Sequence, residues 1–288
     1  MILMEKRLES DKWTDVIKPQ RNLLDWRFGE LLRARDLIML FVWRDFVSVY
    51  KQTILGPLWY LIQPLLTTLT FTVIFGRIAS LPTDKLPDFL FYLSGSVVWS
   101  YFAECLNKTS STFITNSNLF GKVYFPRLSV PISILISNLI AFAIQFILFL
   151  IFVAYYWAIG SAVSPNWSVL LLPFYVLVMA GLGLGFGIIV SALTTRYRDL
   201  QFLVRFGVQL AMYATPIIYP LSSIPEKYRL LIIANPMTSI VEGFRYSFLG
   251  SGVINPLHLL YSFVFMLISL AIGIMLFNRI ETTFMDTV

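Results

Sequence analysis

The feature that most constrains this chain is a succession of long apolar runs separated by short stretches that hold most of its charge. A helix needs about 20 apolar residues to cross a bilayer. Six segments meet that need, near 58–79, 89–105, 131–160, 168–193, 200–219 and 257–278. The second is short, and the third is long enough to tilt or to extend beyond the lipid. With 57% hydrophobic and only 13% charged residues among 288, the apolar excess is more than one water-soluble core could bury. The fold class that follows is an all-α integral membrane protein with six transmembrane helices.

The placement of lysine and arginine sets the expected orientation. They gather before the first run (Lys6 to Lys51), between the second and third (Lys108, Lys122, Arg127), between the fourth and fifth (Arg196, Arg198) and after the sixth (Arg279). The opposite loops hold Lys85, Lys227, Arg229 and Arg245, with Arg77 at the edge of a run. The positive-inside rule then puts both termini in the cytoplasm, which agrees with an even number of crossings. Residues 1–27 lack a continuous apolar region, so they read as a cytoplasmic tail and not as a cleavable signal.

Two regions outside the runs are not simple loops. Residues 28–52 are helix-compatible, and at 100° per residue Arg33, Arg44 and Lys51 fall on one stripe, interrupted by Leu37 and Leu40. That pattern suits an amphipathic helix lying along the cytoplasmic leaflet ahead of the six-span domain at 53–288. A seventh span is excluded by the charges within 33–51. The second region, Pro220 to Asn255, is too apolar for an ordinary outer loop, and Asn235-Pro236 breaks it into two short helical pieces. Glu242 and Arg245 can pair there at i,i+3. Each piece is too short to cross, so a re-entrant pair dipping in from outside is expected, with two helices resting on the outer surface as the alternative.

The stretch Thr194 to Leu210 places Arg196, Arg198, Asp199 and Arg205 between two apolar runs. Four charges at the bilayer centre would oppose insertion by roughly 10 kcal/mol, so the stretch must begin as a cytoplasmic turn. Asp199 then meets the helix dipole at the start of the fifth span. Arg205 lies about 9 Å further along a helix, where it either snorkels back to the interface or faces a wet interior.

Little in the chain suggests catalysis. A phosphate loop is missing: Gly121-Lys122 lacks the G-x-x-x-x-G-K-[ST] spacing. The run "GLGLGFG", Gly181 to Gly187, lies inside a span, where glycines at this density permit close helix approach. A lone Cys105 and a lone His258 leave little for a metal site. Glu104, the exceptional acid within the spans, is expected to face water or pair locally. Aromatics remain. Trp157 and Trp167 suit interface anchors, whereas Trp59, Tyr60, Tyr92, Trp99, Tyr101 and Tyr213 could anchor or could line a path whose ring faces suit sugars.

Four ordered motifs carry a family resemblance over nearly the whole chain: "YKQTILGPLWYLIQPLL" (50–66), "NLFGKVYFPRLSVP" (118–131), "RYRDLQFLV" with "TPIIYP" (196–204, 215–220) and "NPMTSIVEGFR" (235–245). Together they resemble the permease subunits of ABC exporters for lipid-linked polysaccharide, the O-antigen, capsule and teichoic acid export family. The resemblance implies a homodimer working with two copies of a separate ATPase that binds ATP and Mg, with neither bound by this chain. It also implies roles by position. The helix bearing Arg33, Arg44 and Lys51 becomes an interfacial cuff. Asn118, Phe120, Lys122 and Tyr124 dock on the ATPase. The pieces after Tyr219 become external gate helices, and Arg196 and Arg198 lie at the cytoplasmic mouth. Arginines there suit the phosphates of a polyprenyl-linked glycan. The substrate path would then include Arg196, Arg198, Arg205, Trp59, Tyr60, Tyr92, Trp99 and Tyr213. The implied setting is the bacterial inner membrane, with lipid and glycan as ligands and no nucleic acid. Two alternatives stand beside this reading, a permease for a small drug or lipid and an integral membrane glycosyl- or acyltransferase.

Overall fold

A computed structural model describes residues 28–51, 53–120, 125–194, 197 and 199–287, without the side chains of 28, 49, 50, 117, 118 and 280–287. The tail at 1–27 lies outside the described residues. Among the described residues the regular structure is entirely helical. The region at 28–51 forms α1 (Phe28–Arg33) and α2 (Arg35–Tyr50), with a break at Ala34. Ile38, Phe41 and Val42 on α2 are buried, while Met39, Leu40 and Trp43 are exposed, so apolar side chains occupy both sides of the helix.

The first long helix opens on a short 3₁₀ turn, Gly56–Leu58, continues as α3 (Trp59–Phe71), and widens into a π-helix at Thr72–Ile78. It is followed by α4 (Asp88–Ser110), the short α5 (Thr112–Thr115) and α6 (Ser117–Phe120), α7 (Ser129–Ala158), and α8 (Leu172–Thr194), which a 3₁₀ turn at Trp167–Leu171 precedes. The chain ends in α9 (Leu200–Tyr213), α10 (Glu226–Ile233), α11 (Pro236–Leu249) and α12 (Pro256–Thr287). Among the described residues five segments are long and apolar enough to cross a membrane: Gly56–Ile78, Asp88–Ser110, Ser129–Ala158, Trp167–Thr194 and Pro256–Arg279. The second, short by sequence, runs the full 23 residues of α4. The fifth expected span is different, for α9 stops after 14 residues.

Glycine packing builds the centre of the bundle. Gly183 and Gly187 on α8 face α4, where an added Cβ would come within 2.7 Å of Cys105 and 2.5 Å of Thr109. Gly181 and Gly185 face α12, where it would meet Met266 at 2.3 Å and Ser269 at 2.6 Å. The glycine run is therefore a two-sided contact that brings three helices together, as the sequence suggested. At one end Thr194 Oγ1 donates to the Ser110 carbonyl at 3.0 Å, tying the ends of α8 and α4. At the other, Asn166 Nδ2 donates to the Tyr246 carbonyl at 2.8 Å and Ser222 Oγ to Asp84 at 2.7 Å. The connections at 79–87 and 159–166 thus share an end of the bundle with α11.

Candidate functional site

Polar residues on three apolar helices converge into one groove. On α3, Tyr60, Gln63 and Thr67 recur at helical spacing; on α4, Ser96, Ser100, Glu104 and Lys108 do so at every fourth position; on α7, Asn138 and Gln145 lie two turns apart. Packing α3 and α7 against α4 turns these three stripes toward a common cavity of about 320 Å³. A second cavity of about 320 Å³ continues it toward the end of the bundle that carries α2, sharing Tyr60, Lys108 and Asn138 and reaching Arg44 and Ser137. Each is within the range of ligand sites, about 300–1,000 Å³.

The lining is charge-balanced and rich in hydrogen-bonding groups. Lys108 Nζ lies 3.3 Å from Glu104 Oε2 and donates to Asn138 Oδ1 at 2.8 Å. Ser100 Oγ lies 2.6 Å from Gln145 Oε1. The hydroxyls of Ser96 and Ser137 are buried and have no hydrogen-bond partner among the described residues. Tyr60, Trp99, Tyr101 and Phe142 add aromatic surface. Polar groups inside a bilayer are costly unless they pair or serve a wet path. Paired acid and base, amides, hydroxyls and aromatic faces together suit a neutral polyol, which presents C–H faces beside hydroxyls.

Of the aromatic residues singled out from sequence, Tyr60, Trp99 and Tyr101 meet in this groove. Tyr92 is fully buried instead, in T-shaped contact with Phe91 and Phe71. Trp59 and Tyr213 stand on exposed faces of α3 and α9, and Arg205 is exposed on α9. Arg196 and Arg198 lie outside the described residues. On the other proposed surface, Phe120 is buried against Phe113 and Phe125, Asn118 belongs to α6, and Lys122 and Tyr124 lie outside the described residues. Arg44 pairs with Asp45 at 2.8 Å and its guanidinium sits over the Phe41 ring; Arg33 and Lys51 are exposed. Gln63, Asn138 and Gln145 also line the groove, and an uncharged amide within so apolar a helix is the sequence signal for each. Glu104 pairs locally, with Lys108.

A second polar centre is sealed. Arg245, on α11, donates to the carbonyls of Pro216 and, at 2.6 Å, Ile217, and lies 3.3 Å from Ser94 Oγ and 3.6 Å from Glu242. Its guanidinium stacks 3.7 Å from the centre of the Phe91 ring. Gly95 leaves the room for it, since a Cβ there would come within 2.9 Å of Nη2. Glu242 and Arg245 both sit on α11, outside the five candidate membrane-spanning segments. Burial raises the Glu242 carboxyl above its usual range against the pull of Arg245, and lowers the Arg245 guanidinium to about 10. The hub fixes where α9 gives way to the Ala214–Pro220 bend.

These features meet in one family. The model of the ABC-2 type transporter family matches residues 36–249, and the chain belongs to that family. It is 28% identical over 253 residues to the O-antigen export system permease protein RfbA of Klebsiella pneumoniae, covering 87% of this chain and 94% of the relative. It is 31% identical over 223 residues to the RfbA permease of Myxococcus xanthus, covering 76% of this chain and 82% of the relative. The polysialic acid transport protein KpsM of Escherichia coli is 26% identical over 231 residues, with 79% of this chain and 86% of the relative covered. The chain is a multi-pass membrane protein of the bacterial inner membrane and a homologue of transporter permeases.

Proposed function

We propose that this chain is the membrane-spanning subunit of an ATP-driven exporter of polyprenyl-linked polysaccharide, working as a homodimer with two copies of a separate ATPase. The observation that carries this reading is the match over 94% of the length of an O-antigen export permease. The groove supports it, because its polar and aromatic lining suits a sugar chain better than an apolar drug. In this reading α9 and the buried Ala214–Pro220 bend together make a sixth crossing. The bend's carbonyls reach Arg245 on α11, while α9 starts a few residues beyond the Thr194–Ser110 end. Both termini then lie in the cytoplasm, and α10 and α11 form a re-entrant pair that gates the outer side.

ATP and Mg act in the partner ATPase. Hydrolysis can drive export only where ATP-bound and ATP-free partners favour different permease conformations. The segment from Asn118 to Tyr124 is the proposed docking site that transmits this preference. Arg196 and Arg198 at the cytoplasmic mouth receive the phosphates of the lipid carrier, and Arg205 contributes along the path. Co-purification in mild detergent tests the assignment. A stoichiometric partner carrying G-x-x-x-x-G-K-[ST] is expected, together with loss of surface glycan when the chain is deleted. A chain that comes down alone under the gentlest solubilisation, from cells whose surface glycan survives the deletion, would end the exporter reading.

A further inference from the structure

A separate cavity at the far end of the bundle has a different chemistry. It lies where α10, α11 and the start of α12 meet, and its volume is about 120 Å³. That holds several water molecules but is well below the roughly 300 Å³ at which ligand sites begin, so it fits one small group and no sugar chain.

The groups facing this cavity are mostly donors without partners. Arg229 on α10 and His258 on α12 line it, and neither side chain has a hydrogen-bond or ion-pair partner among the described residues. Ser239 is 8% exposed, and its buried hydroxyl makes no hydrogen bond. Asn255 spends its oxygen on the Leu257 amide at 2.9 Å, which leaves its NH₂ to the cavity. Glu242 forms part of the wall, yet its charge is already met from elsewhere. The Leu221 amide donates to it at 3.4 Å, the Val253 amide also donates, and Arg245 lies 3.6 Å away. The unmet capacity of the site is therefore for a compact acceptor. A tetrahedral oxyanion suits it best, since guanidinium donates two parallel hydrogen bonds to such oxygens.

The surroundings indicate where that oxyanion comes from. Beside Arg229, Leu230 and Leu231 are 80% and 71% exposed; beside His258, Leu257 is 72% exposed. Tyr228 and Tyr261 are exposed among them. An apolar collar with tyrosines is what a protein presents at the boundary between lipid tails and head groups. Exposed apolar residues and tyrosines next in sequence to the cavity's donors are what head-group level would call for.

We propose that this cavity binds the phosphate of a lipid head group, held by Arg229 and His258 with Ser239 and Asn255 completing its hydrogen bonds. The site holds whether or not the chain moves a glycan. Native mass spectrometry of the full-length chain, in detergent doped with phosphatidylglycerol, is the test. The wild type should retain one phospholipid per chain, and Arg229→Gln with His258→Gln should weaken retention about tenfold or more. Ser239→Ala, which removes one hydroxyl and leaves the fold undisturbed, should weaken it roughly two- to fivefold. Lys227→Gln, on the same helix but away from the cavity, should change nothing. Equal retention by the double variant and the wild type would overturn the site. Equal retention of phosphate-free diacylglycerol would overturn the phosphate, and displacement by millimolar inorganic phosphate would reassign the cavity to the free ion and overturn the lipid.

Discussion

Two acid–base pairs in this molecule are alike in sequence and opposite in setting. Glu242 and Arg245 are spaced i,i+3 on α11, with side chains 3% and 2% exposed. Glu104 and Lys108 are spaced i,i+4 on α4, with side chains about half exposed, at 52% and 50%. The first pair is saturated: carbonyls, a hydroxyl and an aromatic face occupy the guanidinium on every side. The second keeps donor and acceptor capacity open to a cavity. A sealed pair can fix an architecture but offers a ligand nothing, whereas a wet pair adds little to the fold and is free to recognise a substrate.

The largest effect that would break this comparison is expected at Arg245. Arg245→Met leaves Glu242 buried without its counter-charge and should destabilise the protein by about 3–5 kcal/mol. The readout is the midpoint of thermal unfolding of the purified protein. Adding Glu242→Leu should restore part of that loss, so the two changes should be markedly non-additive. Additive losses would mean that the pair is not a unit.

Next comes Gly187→Ala. Its methyl would press on Thr109, and the overlap should cost about 1–3 kcal/mol, read by the same unfolding midpoint. An unchanged midpoint would show that α4 and α8 are free to slide, and the groove behind α4 would then have no fixed shape.

The smallest effects on stability, and the sharpest on function, belong to the groove. Lys108→Gln removes an exposed pair and should change stability by less than about 1 kcal/mol. Surface glycan should nevertheless fall about tenfold, the equivalent of one lost hydrogen bond to substrate. Gln145→Leu should lower surface glycan similarly, while the loss of its buried bond from Ser100 should cost about 1 kcal/mol of stability. Normal glycan export in both variants would remove the groove from the substrate path. Phe120→Ala separates the two kinds of residue again. Its ring is buried, so the proposed docking segment should lose stability here, by about 3–5 kcal/mol, before any uncoupling of ATP hydrolysis can be read.

Much of this was legible in the chain itself. Hydropathy located the five long spans to within a few residues for all but α4, whose polar tail from Leu106 to Ser110 hid its true end. The Asn235-Pro236 break appears where the dipeptide puts it, with the Asn235 side chain accepting from the Met237 amide at 3.0 Å. Glycine density foretold close approach. Aromatic content, by contrast, could not sort Trp99 from Tyr92: both lie on α4, and one lines the groove while the other packs into the core.

The sequence by itself determined the solvent this protein folds in, the helices that cross it and the points where they break, because each is a local matter of transfer free energy and backbone geometry. Only the tertiary structure decided which polar groups meet. Arg245 finds Ser94 across 151 positions of chain, and Ser100 finds Gln145 across 45. Periodicity gives the face a residue occupies on its own helix. Which neighbour that face meets depends on how the helices dock, and here the glycines of α8 set that docking by letting α4 and α12 come within backbone contact.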